Sequence, residues 1–426
     1  MDIHYIHAAD LHLDTPFHGL SRMATSDGRL SRLLQEATFT AMDRLFRLCE
    51  TDKPDFLVLA GDIYNAENHS VKAQLKLCDG CRRLAEQGVR VFLAHGNHDP
   101  LSSRLTAMQW PPNVTVFGST VEQHSIQRDG QTIALVHGIS HDSVKESRNL
   151  ARLFRRDDRQ ECFQLGVLHC AVDGRSGADR YAPCSLNDLK ATHLDAWALG
   201  HVHERNILSA SPFIAYSGSA QGLHINEPGP RGCLRVTVSP TPDGGYACHE
   251  EFIRLGSVQW ASVETDINGV EHLDEVERRL TSSLEALVDA TEPGCEALLV
   301  RVRLHGRTVL DKDLRQDAAR EDLAERLEHL QTGTPGIWIT DLRAETAPYV
   351  DRAQYLERED LLGEALRLAQ RMTEDTAQLR LRADRALRPL YEHGQLRKIL
   401  QRPDDAHLRQ LLIEAERLCI DVLEVR

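Results

Sequence analysis

Residues 56–62 read Phe-Leu-Val-Leu-Ala-Gly-Asp: five apolar residues that run straight into a glycine and an aspartate. An apolar run this short, closed by a turn residue, reads as a strand buried on both faces. Two more stretches have the same construction. Upstream, Ile3–Ala8 is a short apolar run that ends at Asp10-Leu11-His12. Downstream, Val89–Ala94 (Val-Arg-Val-Phe-Leu-Ala) ends at Gly96-Asn97-His98-Asp99. Between them, Leu30, Leu33, Leu34, Ala37, Ala41, Leu45 and Leu48 follow helical spacing, and Val71–Gln87 reads as a second helix. Strand, helix, strand, helix, strand is the signature of an α/β layer with parallel neighbours.

Three later runs continue the pattern: Thr132–Val136, Gln164–Leu168 closed by His169, and Ala196–Leu199 closed by Gly200-His201-Val202-His203. From Ile207 to Ile253 short β segments broken by Gly and Pro suggest antiparallel strands. A break follows at Leu255-Gly256. Ser257–Glu264, Ala297–Leu304 and Gly336–Asp341 then read as strands, with helices at His272–Val288 and Asp317–Leu330, which is a small α+β unit. Beyond about Ala347 the pattern is helical, and Leu408, Leu411, Leu412, Ala415, Leu418, Val422 and Leu423 form one apolar stripe. At 426 residues more than one domain is expected. The expected division is 1–255, 256–346 and 347–426.

Composition narrows the class. The chain is 41% hydrophobic and 27% charged, with a formal charge of −14, which lowers a nucleic-acid reading without excluding it. Two bound divalent ions would supply their own positive field. No basic segment followed by an apolar one opens the sequence, and no run reaches membrane-spanning length. Ten cysteines without framework spacing fit a reducing compartment, so a cytoplasmic protein is expected. Cys78 and Cys81 make a CxxC inside a predicted helix, with no second pair to complete a zinc site, and are read as structural. No GxxxxGK[ST] loop occurs, so no nucleotide motor is evident.

The chemistry gathers at the strand ends, where ligands bind in open α/β sheets. Asp10 and His12, two apart in an extended stretch, could face one ion. A lone Asp-x-His is usually a surface pair, but five strand-end motifs in this order form a set. Carboxylate, amide and imidazole together suit manganese, iron or zinc better than magnesium or calcium. Two such ions need a shared carboxylate, and together they activate a water and neutralise charge on a phosphate. A non-ligand histidine could protonate the leaving group.

The order Asp10-x-His12, Gly61-Asp62, Gly96-Asn97-His98-Asp99, His169, Gly200-His201-x-His203 resembles that of the calcineurin-like metallophosphoesterases. His7 to Asp14 followed by Pro16-Phe17-x-Gly19-Leu20, and Tyr216 to Gly222 with Asn226-Glu227, look like the SbcD-type DNA repair nucleases of the bacterial YhaO-like branch. The likeness covers residues 1 to about 255. It implies a four-layer α/β/β/α sandwich with a small α+β cap domain and a helical C-terminal region. It also implies a manganese-dependent nuclease acting on DNA, an SMC-like ABC ATPase partner and homodimerisation. By position, one metal would be held by Asp10, His12, Asp62 and His203. The other would be held by Asp62, Asn97, His169 and His201, with Asp62 bridging. His98 would be the general acid or transition-state stabiliser, and Asp99 a support for the turn or for His98. Asp14 is read as structural or capping; His224 and His141 are candidates to approach substrate phosphate. One departure stands out: such enzymes carry a histidine three residues after the bridging aspartate, and here that position is Asn65, with His69 the nearest histidine. Asn65 can donate a hydrogen bond but cannot shuttle a proton. Two other readings stay open: a phosphatase or cyclic-nucleotide phosphodiesterase on the same core, and a scaffold for an ATPase. The apolar stripe at 408–423 is either a partner contact or internal packing.

Overall fold

The computed structural model describes residues 2–17, 19–20, 28–68, 70–103, 109–174, 181–330, 333–393 and 402–424. Met1–Thr346 form one compact unit and Ala347–Arg426 a second. The first holds three sheets, built from β1 (Ile3–Ala8), β2 (Phe56–Ala60), β3 (Arg90–Ala94), β4 (Val114–Val116), β5 (Glu122–Arg128), β6 (Gln131–Gly138), β7 (Phe163–His169), β8 (Ala196–Gly200), β9 (Asn206–Ala210), β10 (Phe213–Tyr216), β11 (Gly232–Pro240), β12 (Tyr246–Arg254), β13 (Val258–Asp266), β14 (Ala297–Thr308) and β15 (Gly336–Pro348). The first sheet has the order β12-β11-β1-β2-β3-β4 and the second β5-β6-β7-β8-β10-β9.

Every residue of β2 is buried, because both faces are covered. Phe56, Val58 and Ala60 point between the sheets, where they join Tyr5, Phe92, Phe163 and Val167 in one core. Leu57 and Leu59 point the other way, onto Phe39, Phe46, Leu77 and Leu84 of the helices Gly28–Asp52 and Val71–Glu86. The outer face of the second sheet is covered more thinly: Trp197, Leu199 and Ile214 pack against Leu150, Phe154 and Leu189. These come from a short turn of helix at Leu150–Leu153 and a five-residue helix at Leu186–Lys190. The architecture is thus two facing β-sheets flanked by helices, with a more helical C-terminal region.

The run of parallel strands does not extend a single layer. β1–β4 run parallel in one sheet, and β6, β7 and β8 start the parallel part of the other. The segment from Ile207 to Ile253 is not uniformly antiparallel either. β9 and β10 form a hairpin whose second strand inserts beside β8 and runs parallel to it, with Phe213 opposite Ala196. β11 then returns to the first sheet, antiparallel to β1, with Ile3 opposite Val238. The chain therefore crosses from the second sheet to the first at the strand ends that carry the candidate ligands.

β13, β14 and β15 make the third sheet, with Val276, Leu280, Leu323 and Leu327 of two helices on one face. Its other face presents Trp260, Leu299 and Trp338 to Leu30, Leu34 and Ala37 of the first long helix. Arg44 of that helix donates to the carbonyls of Leu255 and Gly294 and to Glu296 at 2.8 Å. The break at 255–256 is a change of sheet inside one compact unit.

In the second unit Leu362, Leu366 and Ile420 form a small core, backed by Val350, Tyr355, Leu356 and Cys419. On the helix Asp405–Glu424 the expected stripe is mostly uncovered. Leu408 is buried, but Leu411, Leu418, Val422 and Leu423 are exposed. Among the described residues no helix is long and apolar enough to cross a membrane.

Candidate metal centre

Asp10 and His12 lie just past β1, but not in an extended stretch. Their φ angles are +50° and +42°, and Asp14 follows at +63°. Left-handed backbone is costly for residues with a Cβ, and it persists where the surroundings over-determine it. Here the amides of Asp10, His12 and Leu13 donate to the carbonyls of Gly61, Asp62 and Ile63 at 3.0–3.1 Å, so the first loop is threaded along the second. Asp62 (φ +49°) and His201 (φ +100°) are left-handed as well. Four expected ligands thus occupy strained backbone, a pattern of functional sites. Two glycines make the close approach feasible. A Cβ on Gly61 would lie within the ring of His169, and one on Gly200 would strike the carbonyl of Ala60.

The buried half of the centre is built on His169, which has no solvent exposure. Its Nδ1 donates to the carbonyl of Ala60 at 3.0 Å. That leaves Nε2 facing two oxygens, Asn97 Oδ1 at 3.1 Å and Asp62 Oδ2 at 3.2 Å. The His201 ring packs edge-on against His169, with centroids 5.2 Å apart. The open half is built on His203, whose side chain is 35% exposed. Its Nδ1 donates to Glu227 Oε1 at 2.5 Å, so Nε2 carries the free lone pair. That nitrogen lies 3.2 Å from Nε2 of His12 and 4.0 Å from Asp10 Oδ1.

Two groups therefore offer ligand atoms within 4.8 Å of one another: Asp10, His12 and His203, and Asp10, Asp62 and His169. Nitrogens and oxygens at about 2.0–2.1 Å from a tetrahedral ion stand roughly 3.3 Å apart, close to the 3.1–3.2 Å of three contacts here and shorter than the 4.0 Å of His203 to Asp10 and of His12 to Asp62. Lone pairs aimed at one another from such groups need a cation or a proton between them. The donor set fits two metal ions. With protons in their place the charges are strained. Burial raises the Asp10 carboxyl to about 6, aided by Asp62 and opposed by His169 and His203. Burial would also raise Asp62, but its contact with His169 outweighs this and holds it well below the usual carboxylate range. His169, which burial alone would lower, is lifted to about 9, chiefly by Asp62. Burial drives His12 and His201 down to about 3, into the neutral form that ligates metal.

The calcineurin-like phosphoesterase family model matches residues 3–205, and the middle domain of metallophosphoesterase YhaO matches residues 260–347. The uncharacterized metallophosphoesterase YhaO of Bacillus subtilis is 34% identical over 332 residues, covering 78% of each chain. The chain is a calcineurin-like metallophosphoesterase. Its middle region is of the YhaO type. More distant relatives are two DNA double-strand break repair proteins Mre11. That of Methanocaldococcus jannaschii is 24% identical over 43% of this chain, and that of Aeropyrum pernix 26% over 52%. The chain spans only 50% and 54% of their lengths.

Around the metallophosphoesterase centre the remaining expected residues divide. His98 is exposed; its backbone N–H donates to Asp62 Oδ1 at 2.8 Å and its ring stands edge-on to His12 at 5.2 Å. Asp99 is fully buried and accepts from the amides of Gly96, Ile63 and Tyr64, which clamps the second loop to the third. Asn65 turns its amide oxygen to the N–H of Glu67 at 3.2 Å. Asp14 accepts from the hydroxyl of Ser70, the cap of the helix Val71–Glu86. His141 is buried, with Nε2 on the carbonyl of His169 at 2.7 Å, so it supports a ligand and is out of reach of a substrate. His224 accepts from the N–H of Asn226 at 3.1 Å in the loop that ends at Glu227. His69 lies outside the described residues. Glu227 stands in the sequence only as part of the Asn226-Glu227 family motif, with no role of its own expected. The available signal was a carboxylate in the Gly- and Ser-containing loop that follows β10.

Proposed function

We propose that the chain is a two-metal DNA nuclease, with manganese as its metal. One ion would be held by Asp10, His12, Asp62 and His203, the other by Asp62, Asn97, His169 and His201. Asp62 is the shared ligand: its Oδ2 is 3.2 Å from His169 Nε2 and 4.0 Å from His12 Nε2, between the two halves. Asp10 is the residue common to the two groups of close ligand atoms, of which Asp62 belongs to one, and its two oxygens accept from the N–H of His201. The ions, when bound, supply the activated nucleophile and neutralise charge on the phosphate. His98 gives a proton to the leaving oxygen, because it is the imidazole turned to solvent beside groups otherwise committed to metal. That exposed ring against a buried donor set is the observation that carries the reading. The repair proteins among the relatives direct it to DNA.

Residues 256–346 act as a cap over the DNA path. An SMC-like ATPase docks on the apolar side chains left exposed at Leu411, Leu418 and Val422, and the working assembly is a homodimer. A labelled DNA duplex, a labelled single strand, nitrophenyl phosphate and a cyclic nucleotide, each incubated with manganese, test the proposal. Cleavage of DNA that His98→Ala abolishes while metal binding survives is the expected result. Turnover of the small esters with the DNA left intact would replace it with a phosphatase or cyclic-nucleotide phosphodiesterase.

A further inference from the structure

A cleft of about 500 Å³ adjoins the exposed half of the metal centre, with His203 and its partner Glu227 in its wall. Its size falls within the range of small-molecule sites. Four segments far apart in sequence build it: the loop after β8, the loop between β10 and β11, β12, and the loop before β14 that carries Glu292. Arg205 lies over the face of Phe252 with its guanidinium carbon 5.1 Å from the ring centroid, and Asn226 presents an amide. The cleft is therefore lined by a planar cation stacked on an aromatic ring, next to a hydrogen-bonding group.

Its charge argues against a track for further phosphates. Two of its ionisable side chains are committed within the protein. Glu227 holds His203, and Arg231 donates to the carbonyls of His203 and Pro228. Arg231 keeps its positive charge and offsets that of Glu227, which leaves Arg205 against the carboxylates of Glu204 and Glu292. A second phosphate would meet net negative charge, whereas an uncharged planar group could stack on the guanidinium and donate to the carboxylates. Nucleobases meet that description: stacking on aromatic and guanidinium planes is how proteins grip unpaired bases.

We infer that this cleft is a nucleobase subsite, seating the base of the nucleotide whose phosphate lies at the metal centre. The inference rests on the nuclease reading and adds what that reading lacks, a grip on an unpaired base beside the reacting phosphate.

The test is calorimetric titration of the manganese-loaded full chain with deoxyadenosine 5′-monophosphate and with deoxyribose 5-phosphate, in which a hydroxyl replaces the base. Wild type should bind the nucleotide about tenfold or more tightly, the scale of one stacked base. Arg205→Ala and Phe252→Leu should erase that preference while leaving the affinity for the sugar phosphate unchanged. Arg205 is exposed, so its variant guards against the chance that Phe252→Leu misfolds. Equal affinity of wild type for the two ligands, or a preference that survives in Arg205→Ala and in a folded Phe252→Leu, overturns the subsite. DNA left uncut by an enzyme that still prefers the nucleotide would remove the nuclease reading and keep the base site.

Discussion

The strand-end loops and the C-terminal helices are both rich in residues that the sequence pattern marks, yet they are held in opposite ways. At the strand ends each side chain is fixed several times over. Asp99 alone accepts from three amides of two loops. Asp62 contacts His169 and the backbone of His98 from left-handed backbone of its own. Among the described residues of the helical unit few apolar side chains are buried, Leu362, Leu366, Ala369, Leu379, Leu408 and Ile420, while Leu418 and Val422 are 63% and 62% exposed. The contrast shows where the fold stores its constraint: the first region is fixed by several contacts per side chain, and part of the second leaves apolar side chains exposed.

The strongest test of the contrast is Asp62→Asn. The amide cannot balance the charge of two ions, and each ion contributes several kcal/mol to stabilising a phosphoryl transition state. Hydrolysis of bis-nitrophenyl phosphate should fall by roughly 10⁴-fold or more, with metal content by mass spectrometry dropping from two ions. Retention of both ions would show that Asp10 is the shared ligand. His98→Ala comes next, with an expected loss of about 10²–10⁴-fold, the range of a single general acid. Its metal content should stay at two, because the His98 ring is exposed and its contribution to Asp62 comes from the backbone.

How far the sequence could be read follows the same contrast. Buried parallel strands announce themselves as short apolar runs, and a strand must end where its run ends, so Asp10, Asp62, Asn97, His169 and His201 were legible as strand-end residues. Their convergence was legible only because ligands gather at such ends. Three features were out of reach. Asp10 and His12 were expected to share a face of extended chain, and the threading of one loop along another sets them in left-handed backbone instead. The insertion of β10 beside β8 depends on a hairpin folding back, which alternation alone does not show. The role of Glu227 depends on a contact 24 residues away in sequence. In the helices the period was legible, but period does not say which side is covered.

The two halves of the centre supply a finer comparison. His169 is oriented by a backbone carbonyl that no substitution removes, whereas His203 depends on the Glu227 side chain. Glu227→Gln should weaken the more loosely held ion by about 10–100-fold, the usual cost of losing a partner behind a ligating histidine. Competition with a chelator should then strip one ion before the other. Loss of both together would mean that the halves are a single rigid unit.

The smallest effect is expected where the contrast is sharpest in the helices. Leu366 is fully buried in the small core and Leu418 is exposed on the helix Asp405–Glu424. Leu366→Ala should cost about 2–5 kcal/mol, read as lost hydrogen-exchange protection across Leu361–Glu374. Leu418→Ala, with few contacts to lose, should shift stability by no more than about 0.5 kcal/mol. If Leu418→Ala destabilised the isolated chain as much as Leu366→Ala, the exposed stripe would have to be packed within the chain. A neutral outcome there leaves Leu418 available to a partner, since an apolar side chain that the fold does not use is one that binding can still bury.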